Sequence, residues 1–203
     1  MIRSSRKTVA FAAALGYSIL LFFIAAVLQK ITNGLAAILT WVVYSQIVRG
    51  LVIFLSSVFT FLVFIRWSEL PRRYLFLLLL GIFGALTAWF VTRLGDSVNE
   101  YVHYPQYATL VCLWYAAFSS RERAKGGRPA GQGVIAAAGS ISALLGCLEE
   151  GWQHFLPGRV FDVQDILLNL MGVWLGLMLI WAMAGAGREE NLRATSPGGH
   201  QDL

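Results

Sequence analysis

The sequence predicts an all-α fold, a polytopic transmembrane helical bundle of about six spans, and three observations carry that reading. The 203 residues are 57% hydrophobic and only 13% charged. The apolar residues come in unbroken runs rather than in the one-sided stripe of a soluble helix. Runs of about 18 or more apolar residues mark membrane spans. Six lie at roughly 8–28, 45–66, 73–92, 104–120, 133–154 and 164–186. A helix of about 21 residues rises about 32 Å, enough to cross the hydrocarbon core. The spans use most of the chain and leave no room for a separate soluble domain.

The third observation is where the basic residues fall. A net charge of +5 raises the possibility of nucleic acid, but the placement accounts for it otherwise. With the N-terminus inside, the inner segments hold Arg3, Arg6, Lys7, Arg66, Arg72, Arg73, Arg121, Arg123, Lys125, Arg128, Arg188 and Arg193. The outer segments keep Lys30, Arg93 and Arg159, with Arg49 in or near the second span. That asymmetry follows the positive-inside rule. Both termini are therefore expected in the cytoplasm, the bilayer is the expected partner, and no nucleic-acid partner is expected.

The first span follows Met1-Ile-Arg-Ser-Ser-Arg-Lys7, a basic start like that of a signal peptide. Its apolar stretch exceeds a typical h-region and no small-x-small cleavage site precedes Lys30, so it is read as retained. Residues 34–66 are too long for one untilted helix and are interrupted by Arg49-Gly50. The reading is an outer interfacial segment at 35–44, with Trp41 and Tyr44 at headgroup depth, then a span to Arg66. A single long tilted helix is the alternative.

The third span ends near Thr92, and residues 93–103 form an outer loop. Pro105 cannot donate an amide proton and suits a first helical turn, so the fourth helix starts around it. Residues 121–133 are basic and glycine-rich, which reads as a flexible inner loop. Pro157-Gly158 is a turn signal after the fifth span. The sixth span starts near Asp162, and the chain from Gly187 reads as a disordered tail. Cys112 and Cys147 lie inside apolar runs and read as small buried hydrophobes.

This topology gathers a polar cluster on the outer side. Asp96, Glu100, His103, Glu149, Glu150, Gln153, His154, Arg159, Asp162, Asp165 and Asn169 all fall at the outer ends of their segments. They include six of the eleven acidic residues and two of the three histidines, more than scattered charges would give. Charge near hydrocarbon is costly, so such a cluster points to a site. At helical spacing Glu150, Gln153 and His154 share a face. Asp165, Asn169, Gly172 and Gly176 share a stripe of the sixth helix, where the glycines allow close approach of a neighbour.

Each residue also has a plainer reading. Asp162 and Asp165 suit an N-cap and first-turn acid pair. Arg159 pairs with Asp162, snorkels to headgroups, or holds a phosphate or carboxylate in its guanidinium fork. Arg49 reads as a snorkelling interface residue or a second anion contact. Glu149 is expected to face water or headgroups. Glu150, nearer hydrocarbon, needs a partner or a proton. His103 and His154 are either structural donors or part of the site. Glu100-x-x-His103 and Glu150-x-x-x-His154 suit paired metal ligands. No Cys joins them, however, and Pro105 disturbs the first pair, so neither metal nor cofactor is expected. Ser97 has no context that would activate it as a nucleophile.

Two motifs at these residues resemble the VanZ-like family of bacterial membrane proteins. The longer is Glu150-x-x-Gln153-x-Phe155-x-Pro157-Gly158-Arg159-x-x-Asp162-x-x-Asp165-x-x-x-Asn169-x-x-Gly172, and the shorter is Glu100-x-x-His103-x-x-x-Tyr107. The chain departs from the family pattern at Tyr101, where members often carry a basic residue, and at Pro105-Gln106. The resemblance covers about 74–183. It implies a VanZ-like four-span core at 74–186, a two-span extension at 1–73, and a cytoplasmic tail at 187–203. It also implies residence in a bacterial cytoplasmic membrane and, through the founding member, a link to resistance against teicoplanin-type glycopeptide antibiotics. It assigns no reaction.

Three functions fit these residues. An enzyme would act on a lipid-linked or envelope-glycan substrate, with Glu150 as general acid or base and His103 as its complement. Arg159 would then clamp an anion, and Asp165 and Asn169 would orient groups. A binder or transporter would use the same cluster, with Glu100, Gln153, His154 and Asp162, for hydrogen bonds alone. A structural role would leave every carboxylate fully paired, whereas catalysis brings Glu150 and His103 to a common point.

Overall fold

The computed structural model describes residues 2–65, 73–94, 101–126, 131–157, 159 and 161–194. Over these residues the protein is all-α, with six helices. α1 spans Ile2–Ile65 and consists of two helices that meet at Thr40. α2 is Arg73–Leu94, α3 is His103–Gly126, α4 is Gln132–Gln153 and α5 is Val163–Ala194. Helix formation follows from the long apolar runs and from where the prolines lie. Pro105 sits in the first turn of α3 and Pro157 in the turn after α4, so neither breaks a helix interior.

A straight helix of 64 residues would reach about 96 Å, three times the hydrocarbon thickness. The chain turns at Thr40, with φ 64° and ψ 150°. A β-branched residue at positive φ is strained by about 1–3 kcal/mol. The expected interruption at Arg49-Gly50 is not found, because both residues lie inside continuous helix. Trp41 and Tyr44 pack ring against ring at 5.5 Å just after the bend.

α3 is the central helix, packed against α1, α4 and α5, while α4 also packs on α5. Tyr107, Leu110, Val111, Trp114 and Ala117 of α3 form the main core with Ala14 and Leu21 of α1, Ala138 of α4, and Val173 and Ile180 of α5. α2 lies outside and rests on α5, where Phe76 meets Met178 and Trp174. Among the described residues, Lys7–Val27, Gln132–Gln153 and Val163–Trp181 are each long and apolar enough to cross a membrane alone. Ala37–Leu51 and Tyr74–Trp89 are shorter apolar helices. α3, expected as a span over 104–120, is less apolar than these three because it carries His103, Gln106 and several tyrosines. Its neighbours shield it.

The glycine stripe of α5 does what its spacing suggested. A Cβ at Gly172 would stand 2.8 Å from the His103 carbonyl oxygen, and one at Gly176 2.8 Å from that of Ala108. α3 and α5 thus touch backbone to backbone. Two expectations need correction. Cys147 is exposed on the outside of α4, and only Cys112 is partly buried. α5 continues to Ala194, past Gly187 where a tail was expected. The remainder of that tail, residues 195–203, lies outside the described residues, as does most of the loop at 93–103.

Candidate functional site

α3 and α5 run parallel, with Gly172 and Gly176 against His103 and Ala108. α4 runs antiparallel to α5, with Gly139 and Gly146 against Leu177 and Asn169. The start of α3, the end of α4 and the start of α5 therefore meet at one end of the bundle. The polar residues of these three segments converge there. The end of α4 supplies Glu149, Glu150 and Gln153, all buried. The Gln153 side-chain amide donates to Glu149 Oε1 at 2.8 Å and to Glu150 Oε1 at 2.7 Å. It reaches both because they stand four and three residues before it on the helix. Tyr107 of α3 donates its hydroxyl to Glu149 Oε2 at 2.9 Å. Both Glu149 oxygens are therefore satisfied, whereas Glu150, fully buried, has an Oε2 without a hydrogen-bond partner. A buried acceptor left this way costs about 1–3 kcal/mol.

A second group lies between α3 and α5. His103 Nδ1 is 2.6 Å from Asn169 Oδ1, and the Asn169 amide nitrogen donates to the Gly146 carbonyl of α4 at 3.3 Å. Asn169 thus ties the three helices together at one point. The other ring nitrogen of His103, Nε2, faces Asp165 Oδ1 at 4.0 Å, with both side chains partly exposed. Gly146 makes this convergence possible, since a Cβ there would stand 3.0 Å from the Tyr107 ring and 3.2 Å from Asn169.

Arg159 lies in the connection between α4 and α5. It donates to the Ala25 carbonyl of α1 at 3.3 Å, and its Nε is buried without a partner. Its charge acts on Glu149, Glu150 and Asp165, which makes it the counter-charge of the cluster. Asp162 is exposed and accepts the Gln164 amide at 2.8 Å, the N-cap bond of α5.

The structure therefore brings together His103, Glu150, Gln153, Arg159, Asp165 and Asn169 of the expected site residues. Asp162 borders them as a helix cap. His154 does not join them: it is exposed at the end of α4 with its ring against Phe155. Glu100 and Asp96 lie outside the described residues. Arg49 is exposed on the second half of α1. Among the described residues, no group of three or more His, Cys, Asp or Glu is arranged to hold a metal ion.

Glu149 was expected to face water or headgroups and instead lies inside the site, 7% exposed. Helical phase places it 100° from Glu150, which favoured one carboxylate over the other. The reach of Gln153 to both was the missing consideration. Tyr107 was likewise passed over as a site residue, although it stands one helical turn after His103 and so shares its face.

No curated protein matches this chain, and no solved structure matches it. The family model described as VanZ/LLP1 matches residues 4–184, taking in α1 as well as the helices that bear the site. With nearly its whole length matched, the chain belongs to the VanZ/LLP1 family.

Proposed function

We propose that this multi-pass membrane protein uses the cluster at the ends of α3, α4 and α5 to act on the polar head of a cell-envelope lipid or lipid-linked glycan. The site would face the outer side of a bacterial cytoplasmic membrane, with both termini in the cytoplasm, in keeping with the distribution of arginine and lysine. Glu150 carries the reading. A purely structural cluster would pair every buried carboxylate, and Glu150 Oε2 has no partner while being fully buried. The unpartnered Arg159 Nε adds a donor of opposite charge. Glu150 is thus the acid or base of the site, Arg159 the anion contact, and Gln153 the residue that sets Glu150 in place.

The test is mass spectrometry of envelope lipids and glycans from cells with the wild type, Glu150→Gln at equal membrane abundance, or no protein. A species that changes with the wild type alone supports chemistry at Glu150 and identifies the substrate class. Identical profiles in all three remove the enzymatic reading.

Binding without chemistry is a second reading, and one observation favours it. His103 was expected to meet Glu150 as its complement, but it bonds to Asn169 and faces Asp165. Under this reading the same groups hold a ligand through hydrogen bonds alone, and a link to glycopeptide resistance would arise from sequestering or moving that ligand.

A further inference from the structure

Asn169 has two unlike ends, and its surroundings decide which end faces His103. The Gly146 carbonyl can only accept a hydrogen bond, so the Asn169 amide nitrogen must point to it at 3.3 Å. The amide oxygen is left facing His103 Nδ1 at 2.6 Å. An amide oxygen can only accept, so Nδ1 must carry a proton. In a neutral imidazole one nitrogen donates and the other accepts. While the imidazole is neutral Nε2 is then a bare acceptor, and the group 4.0 Å in front of it is a carboxylate oxygen of Asp165, which when ionised is another acceptor. Two facing acceptors at this separation repel unless a proton is taken up, as in an imidazolium–carboxylate pair, or the donors of a ligand stand between or beside them.

We propose that Asn169 fixes His103 as the Nδ1–H tautomer, so that His103 Nε2 and Asp165 form a paired acceptor that takes a ligand head bearing two adjacent hydrogen-bond donors. Vicinal hydroxyls of a sugar or polyol, and the N–H groups of an ammonium, share that chemistry. Asn169 is a positioning residue here, and His103 and Asp165 are the contacts. The proposal rests on reading the cluster as a ligand site, and it adds which atoms receive the ligand.

The experiment is nitrogen NMR of the protein labelled with ¹⁵N-histidine in amine-oxide micelles, at a pH where the imidazole is neutral. The His103 signals, among those of three histidines, are identified by their loss in His103→Gln. The expected wild-type spectrum has a protonated Nδ1 and a bare Nε2. Asn169→Asp keeps an acceptor toward Nδ1 and is expected to keep that pattern, while Asn169→Ala is expected to move the proton to Nε2. A proton on Nε2 in the wild type, or an unchanged tautomer in Asn169→Ala, overturns the proposal.

Octyl glucoside and octylammonium are then titrated in separate samples. A saturable shift of the Nε2 signal with either one, lost in Asp165→Leu, supports the paired acceptor and shows whether hydroxyls or an ammonium fill it. No shift with both probes overturns it. Unchanged envelope lipids in cells, with the tautomer and titration as expected, would discard the enzymatic reading while leaving this contact intact.

Discussion

α2 and α3 are of similar length, 22 and 24 residues, yet they stand in opposite relation to the rest of the molecule. α2 is the more apolar, and among its described side chains only Phe76 is buried. α3 is the more polar, and Tyr104, Tyr107, Leu110, Val111, Trp114 and Ser119 are all buried. In water this order would be reversed. In a bilayer lipid chains solvate leucine as well as a protein interior does, so apolarity no longer selects the inside. Residues that lipid cannot satisfy do: small residues that let backbones meet, and polar ones that need partners. The packed unit of this protein is therefore α3 with α4, α5 and the first half of α1, and α2 is its lipid-facing annex.

The largest expected effect tests that contrast through glycine. Gly172→Val drives methyl groups into the His103 and Tyr104 carbonyls and the Tyr107 side chain, with contacts of 2.8–3.0 Å already reached by a bare Cβ. Backbone cannot yield as a flexible side chain does, so a loss of about 3 kcal/mol is expected in detergent unfolding titrations. Gly81 of α2 has nothing within 4 Å. Gly81→Ala is expected to be neutral or to stabilise by up to about 1 kcal/mol through helix propensity. Equal losses at the two positions would show that α2 packs as tightly as α5.

Within the packed unit, Tyr107 and Glu149 provide the next test. Tyr107→Phe removes the 2.9 Å bond to Glu149 Oε2 and leaves that oxygen buried. A double-mutant cycle with Glu149→Leu, which can neither accept nor donate, should give a coupling of about 1 kcal/mol, within the range of hydrogen bonds between membrane helices. A coupling near zero would mean that Glu149 finds another partner and that the α3–α4 contact is looser than the geometry shows.

The same inversion explains what was legible in the sequence. The helices were readable because apolar runs and proline positions are local signals. The cluster was readable because Glu150, Gln153, Asp165 and Asn169 stand out against apolar surroundings. The stripe of Gly172 and Gly176 was readable from helical spacing. Which partners these residues choose was not, because that depends on how α3 sits between α4 and α5. Hence Glu149 was assigned outward, His154 inward, and His103 to Glu150 rather than to Asn169. Nor was the bend at Thr40 readable, since threonine carries no turn signal and Arg49-Gly50 is the more conspicuous break.

A smaller effect is expected where α1 joins the packed unit. Trp114 donates its indole N–H to Ser18 Oγ at 3.2 Å, and Ser18 in turn donates to the Ala14 carbonyl at 2.8 Å. Ser18→Ala leaves the indole without its partner, at an expected loss of about 0.6 kcal/mol, the average for such bonds in membranes. The Trp114 contribution to the emission of the seven tryptophans, taken as the difference from Trp114→Phe, would be blue-shifted as its ring loses a polar neighbour. An unchanged stability and spectrum would place the first half of α1 with α2, as annex rather than core.

The smallest expected effect is at Leu78, on the outward side of α2 and 59% exposed. If lipid solvates this face, Leu78→Ala exchanges one lipid-accessible apolar side chain for a smaller one and opens no cavity. The change in unfolding free energy should stay within about 0.5 kcal/mol, as for substitutions away from packed features. A loss of about 2 kcal/mol or more, the cost of emptying a packed site, would mean that another surface covers α2. The contrast between α2 and α3 would then be one of partner rather than of burial: α3 covered by its own chain, and α2 by a second protein or a second copy.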